Sequence, residues 1–205
     1  MSSAPREVAL FPLKNVLFPG ARLGLKVFEA RYLDLVSECL RTQAPFGVVC
    51  LLGAGRETGR ASVQFETDGV LATIDEVDAE GPNLLRVQCH GGERFSIVGQ
   101  ATQQPDGLWT AEVCTWPADE VVTPEPALFP TVQALQQVIA ALREQQGHAP
   151  FAEPFALDDA GWVANRWCEV LPIPLAARQK LMVLTDPQAR LRLVHEYLKG
   201  KGVVS

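Results

Sequence analysis

The apolar residues of this chain change their period once, across residues 117–130, and that change limits the fold more than any other feature. Before it, runs such as LLRVQCHGGERFSIVGQATQ and LWTAEVCTW alternate apolar and polar residues, as a half-buried strand does. After it, Leu128, Val132, Leu135, Ile139 and Leu142 are spaced 4, 3, 4 and 3, the stripe of an amphipathic helix. Between them PADEVVTPEPALFP holds four prolines and three acidic residues, and sustains neither pattern. The expected organisation is a β-rich half over 8–116, a linker over 117–127 and an all-helical half over 128–200.

Leu10 to Tyr32, LFPLKNVLFPGARLGLKVFEARY, carries the strongest local signals. Pro12 and Pro19 forbid a helix interior. Pro19-Gly20 suits the two central positions of a type II turn, proline presetting φ and glycine supplying φ > 0. Leu23, Leu25 and Val27 then alternate as a strand. Phe28, Tyr32, Leu35, Val36, Cys39 and Leu40 fall on one helical face. Further on, FGVVCLL reads as a buried strand. A long alternating segment is broken at Asp68-Gly69, and turns are expected at Gly91-Gly92 and Pro105-Asp106-Gly107. Five or six short-turned strands imply a small, strongly curved sheet or barrel with one helix inserted after its first strands.

In the second half the first stripe ends at Gly147. Asp158 or Asp159 caps a helix carrying Trp162, Val163 and Trp167, which stops near Leu171-Pro172. Pro174 opens a third helix with Ala177, Leu181 and Leu184 inward. Asp186-Pro187 is an N-cap followed by proline at the first helical position, opening a fourth with Leu191, Val194 and Leu198.

A net charge of -6 and a pI near 5.1 argue against a general nucleic-acid binder, which needs a dense positive face. Arg178, Lys180, Arg190, Arg192, Lys199 and Lys201 crowd the C-terminal end, and read as the solvated faces of terminal helices. No window is long and apolar enough for a membrane span, and MSSAPREV lacks the apolar core of a secretory signal. A cytoplasmic protein is expected. Its five scattered cysteines then act as small buried apolar residues.

No residue set announces a reaction. Gly53 to Gly59 has a glycine rhythm without the G-K-[ST] of a phosphate loop, and reads as a hairpin loop. His90, His148 and His195 are far apart, at a turn, in a loop and on a terminal helix. Neighbouring Cys89 and His90 point to opposite faces of a strand, so they cannot share one metal or form a nucleophile–base pair. Asp75, Glu76, Asp78 and Glu80 read as a soluble strand edge. Trp109, Trp116, Trp162 and Trp167 flank the junction of the halves, where aromatics either fill core or line a groove.

The opening stretch closely resembles the start of the Lon N-terminal, or substrate-binding, domain family. FGVV at Phe46–Val49, DGVLATIDEV at Asp68–Val77 and GERFSIVG at Gly92–Gly99 resemble further family pieces in order. LPIPLAARQKLMVLTDPQARLRLV resembles the closing pattern, from which Arg178-Gln179-Lys180-Leu181 departs slightly. The resemblance runs from about Val8 to Leu198. It implies an α+β fold, a PUA-like β-barrel with one inserted helix followed by a helical bundle. In full Lon proteases this region precedes an ATPase module and a Ser-Lys peptidase and helps recognise substrates. Here no phosphate loop is present, so the expectation is a non-enzymatic, stand-alone member without cofactor or metal. Pro12, Asn15, Pro19, Gly20, Phe28, Glu29, Arg31 and Tyr32 are read as structural, with Glu29 and Arg31 locally paired.

The lead expectation is a polypeptide-binding module whose groove lies where barrel meets bundle, with Trp109, Trp116, Trp162 and Trp167 as the nearest candidates to line it. The alternatives are an adaptor that binds one folded partner or a second copy of itself, and RNA binding by the barrel, against which the acidity counts.

Overall fold

A computed structural model describes residues 4–57, 60–147 and 150–204. The chain divides into two compact units, Met1–Ala118 and Asp119–Ser205. His148 and the tip of the Gly53–Gly59 segment lie outside the described residues. On either side of that tip the chain forms paired strand. Among the described residues no helix is long and apolar enough to cross a membrane.

The first unit holds strands β1 (Arg6–Leu13), β2 (Arg22–Val27), β3 (Phe46–Glu57), β4 (Arg60–Gly81), β5 (Leu84–Gln103) and β6 (Trp109–Thr115), with helix α1 (Ala30–Thr42) between β2 and β3. They form one mixed sheet in the order β2-β5-β4-β3-β1-β6, and β6 also pairs with β5. Only β1 and β3 run parallel; Leu10 faces Gly47 and Leu13 faces Cys50 across that pair. A parallel pair needs a crossover, and β2 with α1 supplies it. β5 pairs β2 through Leu85–His90 and β6 through its second half. Inside, Val8, Leu10, Val49, Leu71, Phe95 and Val113 form a core cluster.

The segments from Arg60 to Gly81 and from Leu84 to Gln103 are each one long strand, without the breaks expected at Asp68-Gly69 and Gly91-Gly92. Their glycines answer to crowding. A Cβ on Gly69 would lie 2.3 Å from the Val48 carbonyl oxygen, and one on Gly91 would lie 2.3 Å from that of Phe18. Glycine inside a strand marks such close approach as readily as it marks a turn. The register of β4 against β5 also slips beside Gly91, between Val70 and Ala72. His90, expected at a turn, therefore sits within β5. Two turns formed as expected. The Phe18 carbonyl accepts from the Ala21 N–H at 3.0 Å, with Gly20 at φ +73°. Gly107 has φ +86° and its N–H donates to Gln104.

β2 buries alternate residues, Leu23, Leu25 and Val27. The alternation continues one residue further than expected. Glu29 is the extended N-cap of α1, so Phe28, just past the end of β2, stays outside the helix and is 67% exposed. The helix buries Tyr32, Leu35, Val36 and Cys39, while Leu40 is exposed.

The second unit holds a short 3₁₀ turn at Pro126–Leu128 and helices α2 (Phe129–Gln146), α3 (Ala160–Val170), α4 (Leu175–Met182) and α5 (Pro187–Gly200). Asp159 caps α3 by accepting from the Gly161 N–H, and Asp186 caps α5 by accepting from Ala189. Gly147 ends α2 in the left-handed region. α4 buries Gln179 and Met182 instead of Ala177 and Leu181. The proline-rich segment is pinned to the helices from Asp119 onward. The Ala160 N–H donates to Val122, Gln188 donates to the Thr123 carbonyl, and Arg192 pairs with Glu125.

Arg190 overturns its expected place on a solvated face, for it is fully buried. Its guanidinium donates to Asp119 Oδ2 and Asn165 Oδ1, and to the carbonyls of Leu181 and Leu184. Arg166 is buried too, 2.7 Å from Glu169. Burial pushes the Glu169 carboxyl up to about 7, against the pull of Arg166 and Arg178. Its folded value lies above the unfolded one, so the native state holds the extra proton between about pH 4.5 and pH 7, and stability falls as pH rises through that window. Unfolding in urea at about pH 5 and pH 7.5 should show a decline in the wild type, on the order of a few kcal/mol, that Glu169→Gln flattens. Parallel pH profiles for the two proteins would contradict this.

Candidate functional site

In the first unit a cleft of about 460 Å³ opens where the ends of β1 and β2 meet the start of α1. Leu51 of β3, Gln103 of β5 and Trp109 of β6 complete its lining. The opening motif therefore builds most of the cleft. Phe11 from β1 stacks on Tyr32 from α1, with ring centroids 4.0 Å apart and planes 18° from parallel. The Arg31 guanidinium lies 4.7 Å over the Tyr32 ring. Burial raises the Tyr32 hydroxyl above its ordinary range despite Arg31, so it stays protonated.

Arg31 also ties two elements together. Nη2 donates to Glu29 Oε2 at 2.6 Å, the local pairing expected from the sequence, and Nη1 donates to the Gly107 carbonyl at 2.8 Å. Gln103 Nε2 donates to the same carbonyl at 3.2 Å. The first turn of α1 is thereby joined to the β5–β6 turn, whose flanks carry Gln103 and Trp109. Trp109 is half-buried, edge-on to Phe65 at 5.4 Å. Phe28 stands out into solvent from the same cleft. A large apolar ring held outside the core, in a cleft that a tryptophan also lines, is the kind of surface that binds other chains.

The four tryptophans have different surroundings. Trp109 lines the cleft. Trp116 lies just beyond the other end of β6, about 20 Å along the strand, and its indole N–H donates to Ser96 Oγ at 2.8 Å. In the second unit Trp167 is 3% exposed and donates to the Thr131 carbonyl, so it is core. Trp162 packs against Phe151 and Phe155, with Arg166 5.7 Å from its ring. Phe28 is the residue that sequence reasoning missed. Counting the β2 alternation through position 28 was the available signal.

Cys89 is buried with its thiol pushed up to about 12, and Cys39 to about 11, chiefly by burial; both are poor nucleophiles at neutral pH. His90 points outward to Asp75 at 2.6 Å, and His195 is buried against the Thr131 hydroxyl at 2.8 Å. Among the described residues no group of three or more His, Cys, Asp and Glu side chains could hold a metal ion.

Residues 7–200 match the family model of the ATP-dependent protease La (LON) substrate-binding domain. The chain is 23% identical over 198 residues to Lon protease 2 of Myxococcus xanthus, covering 96% of this chain and 24% of that protein. Over 201 residues it is 23% identical to the Lon protease of Anaeromyxobacter dehalogenans, covering 96% and 23%. It thus spans about a quarter of the length of these curated relatives. The crystal structure of a Lon N-terminal domain protein from Xanthomonas campestris superposes with a TM-score of 0.76 at 29% identity, covering 94% of this chain and 98% of that one. The N-terminal domain of a Mycobacterium avium complex Lon protease gives 0.59 at 16% identity, covering 95% and 98%, a likeness of fold alone.

Proposed function

Since this chain belongs to the family of Lon substrate-binding domains, we propose that it is a non-catalytic module that binds polypeptide through the cleft at the start of α1. The observation that carries this reading is Phe28, two-thirds exposed in a cleft that Trp109 also lines and that the family's opening motif largely builds. Of the four tryptophans, Trp109 is the contact we keep. A buried Trp167 has no surface to offer, and the Trp116 indole is already bonded. We read the strand pairings β5-β4-β3-β1-β6-β5 as a closed PUA-like barrel with β2 outside it. The second unit is read as a helical bundle, and the setting as cytoplasmic.

The whole-protein activity of the curated relatives belongs to them. For this chain the reading is recognition without cleavage. It is tested by titrating the labelled protein with a permanently unfolded chain, such as reduced and carboxymethylated lactalbumin, and with its folded form. Binding of the unfolded chain alone is the expected result. Equal binding of both forms would favour the adaptor reading, and binding of neither would contradict polypeptide recognition.

A further inference from the structure

The first unit carries ten Lys and Arg against fourteen Asp and Glu, a formal charge of -4. Its cleft departs from that balance. Three cations line it, Lys14, Lys26 and Arg31, against the single carboxylate of Glu29. Arg31 already holds Glu29 at 2.6 Å. Lys26 touches Glu80 at 3.5 Å but keeps 69% of its side chain exposed. Lys14 is exposed and makes no ion pair among the described residues. The three cations come from three places in the chain, just past β1, in β2 and in α1, and they line the same cleft as the apolar side chains of Phe28, Leu51 and Trp109.

Resting on the polypeptide-binding reading, we propose that the cleft selects segments in which an aromatic residue is flanked by Asp or Glu. The ring would lie against Phe28 and Trp109, and the flanking carboxylates would meet Lys14 and Lys26. Carboxylates beside an apolar anchor complement a lining that holds apolar side chains and three cations against one carboxylate. In a protein this acidic, an acid-rich segment is repelled elsewhere and steered here. Each exposed pair contributes modestly, so two contacts give a preference of about fivefold at low salt.

The test uses three unstructured fluorescent peptides of equal length, each with one central Phe flanked by Asp, Asn or Lys. Anisotropy is read at low and high salt with the wild type, Lys14→Glu, and Lys180→Glu as a control on an exposed position of the second unit. The expected result is tightest binding of the Asp-flanked peptide. The preference should shrink with salt, vanish or reverse in Lys14→Glu, and persist in Lys180→Glu. Equal binding of all three peptides would overturn the charge inference while leaving polypeptide binding intact. Binding of none would overturn both. Should Lys14→Glu change the circular dichroism spectrum, Lys14→Ala replaces it, and the preference for the Asp-flanked over the Lys-flanked peptide must still fall below that of the wild type.

Discussion

Arg190→Leu is expected to destabilise the second unit by about 3–5 kcal/mol, enough to unfold a marginal domain. The guanidinium donates to a carboxylate, a side-chain amide and two carbonyls, all from within a fully buried position. Removing it takes a charged donor from Asp119 and Asn165, and from the carbonyls of Leu181 in the last turn of α4 and Leu184 two residues past its end. Losing a charged donor at buried acceptors, more than losing packing contacts, sets the cost. Arg192→Leu supplies the comparison. It sits two residues on, and it too pairs with the proline-rich segment, through Glu125, but in the open. Its loss should cost far less, because water and salt screen an exposed pair. Urea unfolding followed by tryptophan fluorescence would read both, and equal losses would contradict this account.

Gly91→Ala should be among the most damaging small substitutions in the first unit, costing about 3 kcal/mol or more. The added methyl would sit 2.3 Å from the Phe18 carbonyl oxygen, and backbone cannot step aside as a flexible side chain can. The same residue fastens the Pro19-Gly20 turn to β5, since the Gly20 N–H donates to Gly91 and the Gly91 N–H donates to Ala21, each at 2.8 Å. Its neighbour behaves differently. A Cβ on Gly92 comes no closer than 3.5 Å to the Leu71 oxygen, an ordinary contact, so Gly92→Ala should stay within about 1 kcal/mol of wild type. Thermal melts of the two variants would separate a close-approach glycine from a tolerant one, and equal melts would contradict the assignment.

That contrast shows where reading the sequence stopped. Both glycines suggested a turn, because glycine and aspartate signal turns locally, while the carbonyl of Phe18 is more than seventy residues away along the chain. The same limit applies at Arg190 and Arg192. One is buried and one exposed, yet both lie on one helix and nothing local distinguishes their partners. What was legible depended on periodicity and caps. The Pro19-Gly20 turn, the alternation of β2, the caps at Asp159 and Asp186 and the end of α2 at Gly147 are set by nearest neighbours. The cleft was half legible. Its motif stood out, but Phe28 was counted into the helix although the strand's alternation reaches it, so the exposed ring went unseen. Tryptophan is a sound prior for a binding surface, yet Trp167 meets a core and Trp109 a cleft, and only long-range packing decides between them.

Phe28 tests the central claim most directly. Phe28→Ala should leave stability within about 0.5 kcal/mol of wild type, because the ring is largely solvated already. Binding of an unfolded polypeptide should weaken at least about tenfold, as for an aromatic anchor. Val121→Ala, which removes an even more exposed apolar side chain in the second unit, should change neither quantity. Measured by anisotropy on the same unfolded chain, loss in the first variant alone is the expected result. Unchanged affinity in Phe28→Ala, with the fold intact, would show that polypeptide is not held at this cleft.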